Sequence, residues 1–160
     1  MRHKLAVLAN IANALNQADI TWAVGGSLLL FLKGKVESFH DIDIMVDEDQ
    51  AGQAAAALAS LGRELPYKPN PKYATRHFHE FVIDGVGVDM LAGFVIISKG
   101  RSVECPLRAD DITGSTEVMG AHIPLHSLAE WHRYYQLMGR KDRADQIFSK
   151  KDSEKFGSME

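Results

Sequence analysis

The stretch ITWAVGGSLLLFL, residues 20–32, joins two apolar runs through a glycine turn. Ile20 to Val24 has the character of a short strand, and Leu28 to Leu32 is typical of the start of a helix. Between them lie Gly25, Gly26 and Ser27. Glycines let a phosphate approach the backbone, Ser27 can cap the helix or bond a phosphate oxygen, and a helix N-terminus favours anions. The pattern predicts a phosphate-binding turn, although such a turn is more often only structural.

Two aspartates follow within the apolar run HDIDIMV, residues 40–46. Side chains alternate between the faces of a strand, so Asp41 and Asp43 should point the same way and Ile42 and Ile44 the other. Two such carboxylates repel each other unless a cation lies between them, and hard oxygen ligands suit Mg²⁺ or Mn²⁺. The alternative is an exposed edge strand that leads into the acidic residues 47–49.

A third aspartate, Asp89, ends the segment GVGVDML, residues 85–91. Asp84-Gly85 lies between two apolar segments, which is a strong signal for a two-residue hairpin turn. That turn would place Ile83 opposite Val86 and Glu80 opposite Asp89. Because like charges directly opposite each other destabilise a sheet, this pair calls for a cation or a raised pKa. Glu80 is therefore a candidate fourth acidic group, with a solvated outer-strand position as the alternative.

The glycine turn, the aspartate pair and the later strand aspartate together resemble the DNA polymerase beta-like nucleotidyltransferase superfamily. The resemblance covers about residues 20–147 and is strongest to its small bacterial members, the lincosamide and aminoglycoside nucleotidyltransferases and the minimal nucleotidyltransferases of toxin–antitoxin pairs. It implies an α+β fold, a mixed twisted β-sheet flanked by helices. It also implies that Asp41, Asp43 and Asp89 bind metal and that Gly26 and Ser27 contact the nucleotide phosphates.

The C-terminal part adds a basic candidate. Ser127 and Glu130 form a capping box for a helix that runs to about Met138. The following segment GRKDRADQI, residues 139–147, is similar to the tail of many small nucleotidyltransferases. In those proteins a basic residue approaches the nucleotide, and this resemblance points to Lys141 first and Arg140 second. The alternative is charge pairing at the start of another helix.

Other segments complete the expected architecture. We expect helices over residues 4–17 and 49–61, and strands over residues 94–97 and 102–107. The proline-punctuated loop at residues 66–71 contains Lys68 and is followed directly by Lys72, and these lysines could reach a triphosphate or be solvated. His77 and His79 should share the strand face opposite to that of Glu80, so we expect them to be structural or substrate-lining.

Composition sets the outer limits. The 160 residues, 46% of them hydrophobic, fit a single domain over residues 1–150 followed by a polar, frayed tail over residues 151–160. The single cysteine excludes a disulfide framework, and no signal peptide or apolar membrane span is evident, so the cytoplasm is expected. A net charge of −3 argues against an extended nucleic-acid partner.

These observations predict a metal-dependent enzyme that moves a nucleoside monophosphate from a nucleoside triphosphate to a hydroxyl of a small molecule and releases pyrophosphate. One alternative is a minimal nucleotidyltransferase of a toxin–antitoxin pair that modifies a protein or RNA. Another is an inactive nucleotide- or partner-binding module, because residues 37–40 are Glu-Ser-Phe-His where family members often carry Arg-x-Thr. A homodimer or a small helical protein partner would fit either enzyme.

Overall fold

The computed structural model describes residues 1–148. The tail expected at residues 151–160 lies outside this range. The α-helices are α1 (Arg2–Gln17), α2 (Gly26–Leu32), α3 (Ala51–Ala59), α4 (Leu128–Leu137) and α5 (Lys141–Ile147). The strands are β1 (Trp22–Gly25), β2 (Ile42–Val46), β3 (Arg63–Glu64), β4 (His77–Ile83), β5 (Val86–Ala92), β6 (Val95–Ser98), β7 (Arg101–Glu104), β8 (Ile112–Val118) and β9 (Ala121–His126). Short 3₁₀ helices cover Glu48–Gln50 and Ala109–Asp111.

Seven strands form one mixed sheet in the order β3-β4-β5-β2-β1-β9-β8. The β2–β5 and β1–β9 pairs are parallel, whereas β1–β2, β3–β4, β4–β5 and β8–β9 are antiparallel. Strands β6 and β7 form a separate antiparallel pair. The expected mixed sheet with flanking helices is confirmed.

One face of the central strands is apolar and buried. In β2 and β5 the paired residues Ile42 and Val88, and Ile44 and Met90, are fully buried. Helix α1 contributes its own apolar stripe, which includes Leu8, Ile11 and Leu15, as the helical spacing predicts. Alternation along the strands therefore leaves every second residue of β2 and β5 on the opposite face, where the predicted carboxylates lie.

The β4–β5 hairpin closes through Asp84-Gly85, as predicted. Asp84 has φ 49° and Gly85 has φ 80°, the left-handed pair that a tight two-residue turn needs. Ile83 pairs with Val86, and the register carries on without interruption to Glu80 opposite Asp89. The turn chemistry therefore fixes which carboxylates meet.

Two differences from the sequence prediction concern element limits. Strand β1 begins at Trp22 and ends at Gly25, and α2 already begins at Gly26. The glycines thus belong to the strand end and the first helical residue rather than to a separate loop. The helix expected from residue 49 begins as the 3₁₀ turn Glu48–Gln50 before α3.

Strand β8 has no counterpart in the sequence prediction. Its sequence ITGSTEV offers only Ile112 and Val118 as large apolar residues, so the period-two signal is weak. Its turn to β9 uses Met119-Gly120, with φ 48° and 80°, instead of a familiar Asn-Gly or Asp-Gly pair. Among the described residues no helix combines the length and apolar character that a membrane span needs.

Candidate active site

A row of site residues crosses four adjacent strands. Gly25 of β1 pairs with Asp43 of β2, Asp43 pairs with Asp89 of β5, and Asp89 pairs with Glu80 of β4. The three acidic residues share the face of the sheet opposite to the buried isoleucines. Asp43 and Asp89, which are 46 positions apart in the chain, are thus brought into direct cross-strand contact.

Two glycines make room for the carboxylates. Gly26 has φ 60°, and a β-carbon there would overlap the carboxyl group of Asp43. Gly87 of β5 lies beneath Asp41, whose Oδ1 would be 2.5 Å from a β-carbon at that position. Asp41 itself precedes β2, which begins at Ile42, yet its side chain still reaches the same face. The glycine turn therefore contacts the acidic cluster directly.

The cluster is electrostatically strained without a cation. Removal from water, followed by the charges of Asp89 and Asp41, raises the pKa of Asp43 well above its usual value. Burial and the charges of Asp41 and Glu80 raise the pKa of Asp89 to about 6. Carboxylates in such surroundings hold a proton or bind a cation. Their oxygen atoms and their mutual repulsion fit Mg²⁺ or Mn²⁺, which would replace the proton.

Hydrogen bonding between the Asp43 and Asp89 carboxyl groups adds to the rise in the pKa of Asp43 and offsets part of the rise in the pKa of Asp89. Such a bond between two carboxyl groups requires a proton on one of them. Within residues 1–148 no group of three or more histidine, cysteine, aspartate or glutamate side chains has the geometry of a preformed metal site. A cation held by Asp43 and Asp89 would supply the positive charge that this proton supplies here.

A cavity of about 840 Å³ opens over the acidic row. Gly26, Ser27, Asp41, Asp43, Glu80 and Asp89 all line it, so it brings together the predicted turn and all four predicted acidic residues. Its volume lies within the range of about 300–1,000 Å³ common for small-molecule sites. The opposite walls come from α4, α5 and the loop before β4.

The basic residues from the C-terminal part that line the cavity are not those the sequence pointed to first. Arg140 and Arg143 line the cavity, whereas Lys141 is exposed and is not among the described residues that line it. Arg140 is held by two hydrogen bonds of 3.1 Å from its Nε and Nη2 to the carboxylate of Asp142. Arg140, which directly precedes α5, and Arg143, in its first turn, both reach the cavity, whereas the side chain between them in the first turn, Lys141, is exposed to solvent.

Aromatic residues of the cavity were missed by sequence reasoning. Trp131 and Tyr135 lie one turn apart on α4, and both line the cavity. The Trp131 indole packs so closely on Gly25 that no β-carbon would fit there. Burial, followed by the charge of Asp43, raises the pKa of Tyr135. The sequence offers only one signal for these two residues, their four-residue spacing on one side of a helix. The same spacing is typical of a helix that packs in the core, so it does not predict a cavity wall.

The β4 histidines, His77 and His79, lie on the strand face opposite to Glu80, as predicted. His79 pairs with Met90 on the buried face of the β4–β5 hairpin, and its ring contacts the carboxylate of Glu64. His40 is almost fully exposed, with its Nε2 3.7 Å from Asp41 Oδ1. Adjacent residues of a strand would point apart, but both residues precede β2 and can approach each other.

The sequence model of the aminoglycoside-2''-adenylyltransferase family matches residues 7–149, which includes the whole acidic row and α5. The chain belongs to this family. Its resemblance to the small bacterial nucleotidyltransferases, inferred from the glycine turn and the three aspartates, is confirmed. No curated protein matches the sequence.

Solved structures agree on the fold. A candidate nucleotidyltransferase from Thermotoga maritima is 28% identical, with a TM-score of 0.71 and 89% of each chain covered. ANT(2'')-Ia in complex with adenylyl-2''-tobramycin is 11% identical, with a TM-score of 0.61, over 91% of this chain and 87% of that one. The lincosamide antibiotic adenylyltransferase LnuA, in its lincomycin-bound form, is 16% identical with a TM-score of 0.59, over 90% and 96%. The protein therefore has a nucleotidyltransferase fold and belongs to a nucleotidyltransferase family.

Proposed function

We propose that the protein is an active, metal-dependent nucleotidyltransferase that moves a nucleoside monophosphate from a nucleoside triphosphate to a hydroxyl of a small molecule. The family name refers to adenylyl transfer, so ATP is the first nucleotide to test. Pyrophosphate is the second product.

The observation that carries this proposal is the contact of the glycine turn with the acidic row inside one cavity. Asp43 lies against Gly26 on one side and opposite Asp89 on the other. A triphosphate bound at the turn would therefore lie next to the carboxylates. Asp41, Asp43 and Asp89 would hold Mg²⁺ or Mn²⁺, which supplies charge neutralisation for the triphosphate and for the departing pyrophosphate.

The chain's own residues account for the remaining requirements. Gly26 and Ser27 offer backbone and hydroxyl donors to phosphate oxygens, and Arg140 and Arg143 offer positive charge from the opposite wall. Phosphoryl chemistry depends mainly on such positioning and charge stabilisation. Trp131 supports the turn from beneath, because its ring packs on Gly25.

The transfer step also needs a proton acceptor. The acceptor oxygen forms a bond to the α-phosphorus, and the bond from that phosphorus to the bridging oxygen of pyrophosphate breaks. The hydroxyl proton passes to a carboxylate. Glu80 lies opposite Asp89 and lines the cavity, so either residue is placed to receive it.

Nucleotide binding and turnover test the proposal together. Calorimetric titration of MgATP and assay of pyrophosphate release should both give signals with the wild type. Asp43→Asn should lose metal-dependent binding and turnover while it stays folded by circular dichroism. Asp110→Asn, an exposed substitution in the 3₁₀ helix before β8, is the matched control. Retained turnover in folded Asp43→Asn protein would refute the assignment.

The substitution Glu80→Gln tests whether Glu80 or Asp89 accepts the proton. If Glu80 accepts the proton, kcat should fall and its pH profile should change, while MgATP affinity stays within about twofold of wild type because the three aspartates are intact. A kcat unchanged across pH would leave the role to Asp89.

A further inference from the structure

Charged residues of both signs line the cavity. Four are acidic and four are basic; the basic ones are Lys68, Lys72, Arg140 and Arg143. If the three aspartates hold metal, Glu80 is the one carboxylate among the described lining residues that stays available to an acceptor. The charges of two divalent cations and a triphosphate are nearly equal and opposite. Because the four acidic and four basic lining residues also balance, the loaded cavity would have no excess of negative charge to attract a cationic acceptor.

The two lysines belong to a structured wall. They lie in the segment YKPNPKY, residues 67–73, which runs along the cavity before β4. The carbonyl of Lys72 accepts a hydrogen bond of 2.9 Å from Ile97 N–H, and the N–H of Lys72 donates one of 3.0 Å to Asn70 Oδ1. Ala74 N–H donates to the carbonyl of Val95 at 3.0 Å. The bonds at Lys72 and Ala74 fasten the C-terminal end of the segment to β6.

The same wall is aromatic. Tyr67 is 66% exposed at the cavity, unusual for so large a side chain, and Tyr73 and Phe78 line it nearby. Burial raises the pKa of Tyr73, which keeps its hydroxyl uncharged at neutral pH. Rings of this kind offer flat apolar surface to a ring of a ligand. The wall thus combines aromatic surface with positive charge.

We infer that the acceptor is a ring-containing hydroxyl compound without net positive charge. This inference rests on the proposed function and specifies its second substrate. Aminoglycosides, which give the family its name, carry several ammonium groups, and such a polycation would meet Lys68 and Lys72 with only Glu80 to pair with. A neutral or anionic compound would gain the aromatic contacts without that repulsion.

Three small phenols that differ in charge test the inference. Tyramine is a cation, tyrosol is neutral and 4-hydroxyphenylacetate is an anion, and their rings and hydroxyls are alike. Their affinities for protein saturated with Mg²⁺ and a non-hydrolysable ATP analogue can be measured by ligand-detected NMR, with an aminoglycoside as a fourth ligand. Tyrosol and the acid should bind at least tenfold more tightly than tyramine and the aminoglycoside.

Charge reversal provides the matched variants. In the double variant Lys68→Glu/Lys72→Glu, the ratio of the affinity for tyrosol to the affinity for tyramine should fall at least tenfold. The double variant Lys99→Glu/Arg101→Glu makes the same change of net charge at the exposed β6–β7 turn, away from the cavity. It should leave the ratio of the two affinities unaltered. Tyramine or aminoglycoside binding at least as tight as that of tyrosol would overturn the inference, and so would failure of tyrosol and the acid to bind. Loss of MgATP binding, measured separately, would instead contradict the proposed function.

Discussion

Replacing Asp89 by asparagine should stabilise the metal-free protein at pH 8. In the folded protein burial and the charges of Asp41 and Glu80 raise the pKa of Asp89 to about 6, against 3.8 for the free side chain. The folded state therefore keeps a proton that the unfolded chain has already released. The contribution of Asp89 to stability is therefore highest below pH 3.8, falls as the pH rises towards 6, and is constant above that pH.

The magnitude follows from the two pKa values. One pKa unit corresponds to about 1.4 kcal/mol, so the full cost at pH 8 is about 3 kcal/mol. Asp89 is partly exposed to the cavity, and solvent screening reduces this to about 1–2 kcal/mol. Asparagine has no charge, and its amide oxygen can accept the hydrogen bond that the protonated Asp43 carboxyl group donates. For a chain of this size the gain corresponds to a rise in Tm of about 3–6 °C.

Thermal unfolding in EDTA, followed by circular dichroism at pH 8 and pH 5, measures the effect. The Tm advantage of Asp89→Asn over wild type should be about half as large at pH 5 as at pH 8. Addition of Mg²⁺ and ATP should raise the Tm of the wild type more than that of the variant. Asp110→Asn should match the wild type at both pH values. A lower Tm for Asp89→Asn at pH 8, or an advantage independent of pH, would refute the electrostatic argument.

Three further substitutions probe other parts of the site and its support. Gly26→Ala should lower the free energy of unfolding by more than Gly34→Ala does. Both glycines have positive φ, but only a β-carbon at position 26 would also overlap a carboxyl group, that of Asp43. The difference between the denaturant midpoints of the two variants measures the cost of that overlap. Arg143→Gln should raise the KM for ATP at least fivefold and Lys141→Gln should not, as steady-state kinetics can show; equal effects would contradict the observed lining. Burial lowers the pKa of His126, so the stability contributed by neutral His126 should be lost as the pH falls below about 6.5. His126→Phe should therefore gain stability relative to the wild type as the pH falls, as urea titrations can measure. An identical pH dependence in the variant would contradict this role of His126.

Local chemistry accounts for the parts of the fold that the sequence predicted. The hairpin at Asp84-Gly85 could be predicted because only a few residue pairs adopt its left-handed turn, and the turn then sets every later pair, including Glu80 with Asp89. The helix after Ser127 could be predicted because its cap is local: Glu130 N–H donates to Ser127 Oγ at 3.2 Å. Strand β8 lacks both kinds of signal, and its pairing with β9 is what makes it a strand.

The sequence by itself determined the identity of the acidic residues, their common strand face and the turn that accompanies them. These features depend only on residue type and on spacing within one element, because side chains in a strand alternate between its two faces with a fixed period. Only the tertiary structure decided that Asp43 and Asp89 lie side by side, because the parallel β2–β5 pairing joins segments with no turn between them to set the register. It also decided that Arg140 and Arg143 face the cavity and Lys141 does not. The direction of a helical side chain depends on how the whole helix is packed, and that packing is set by contacts distant in the chain.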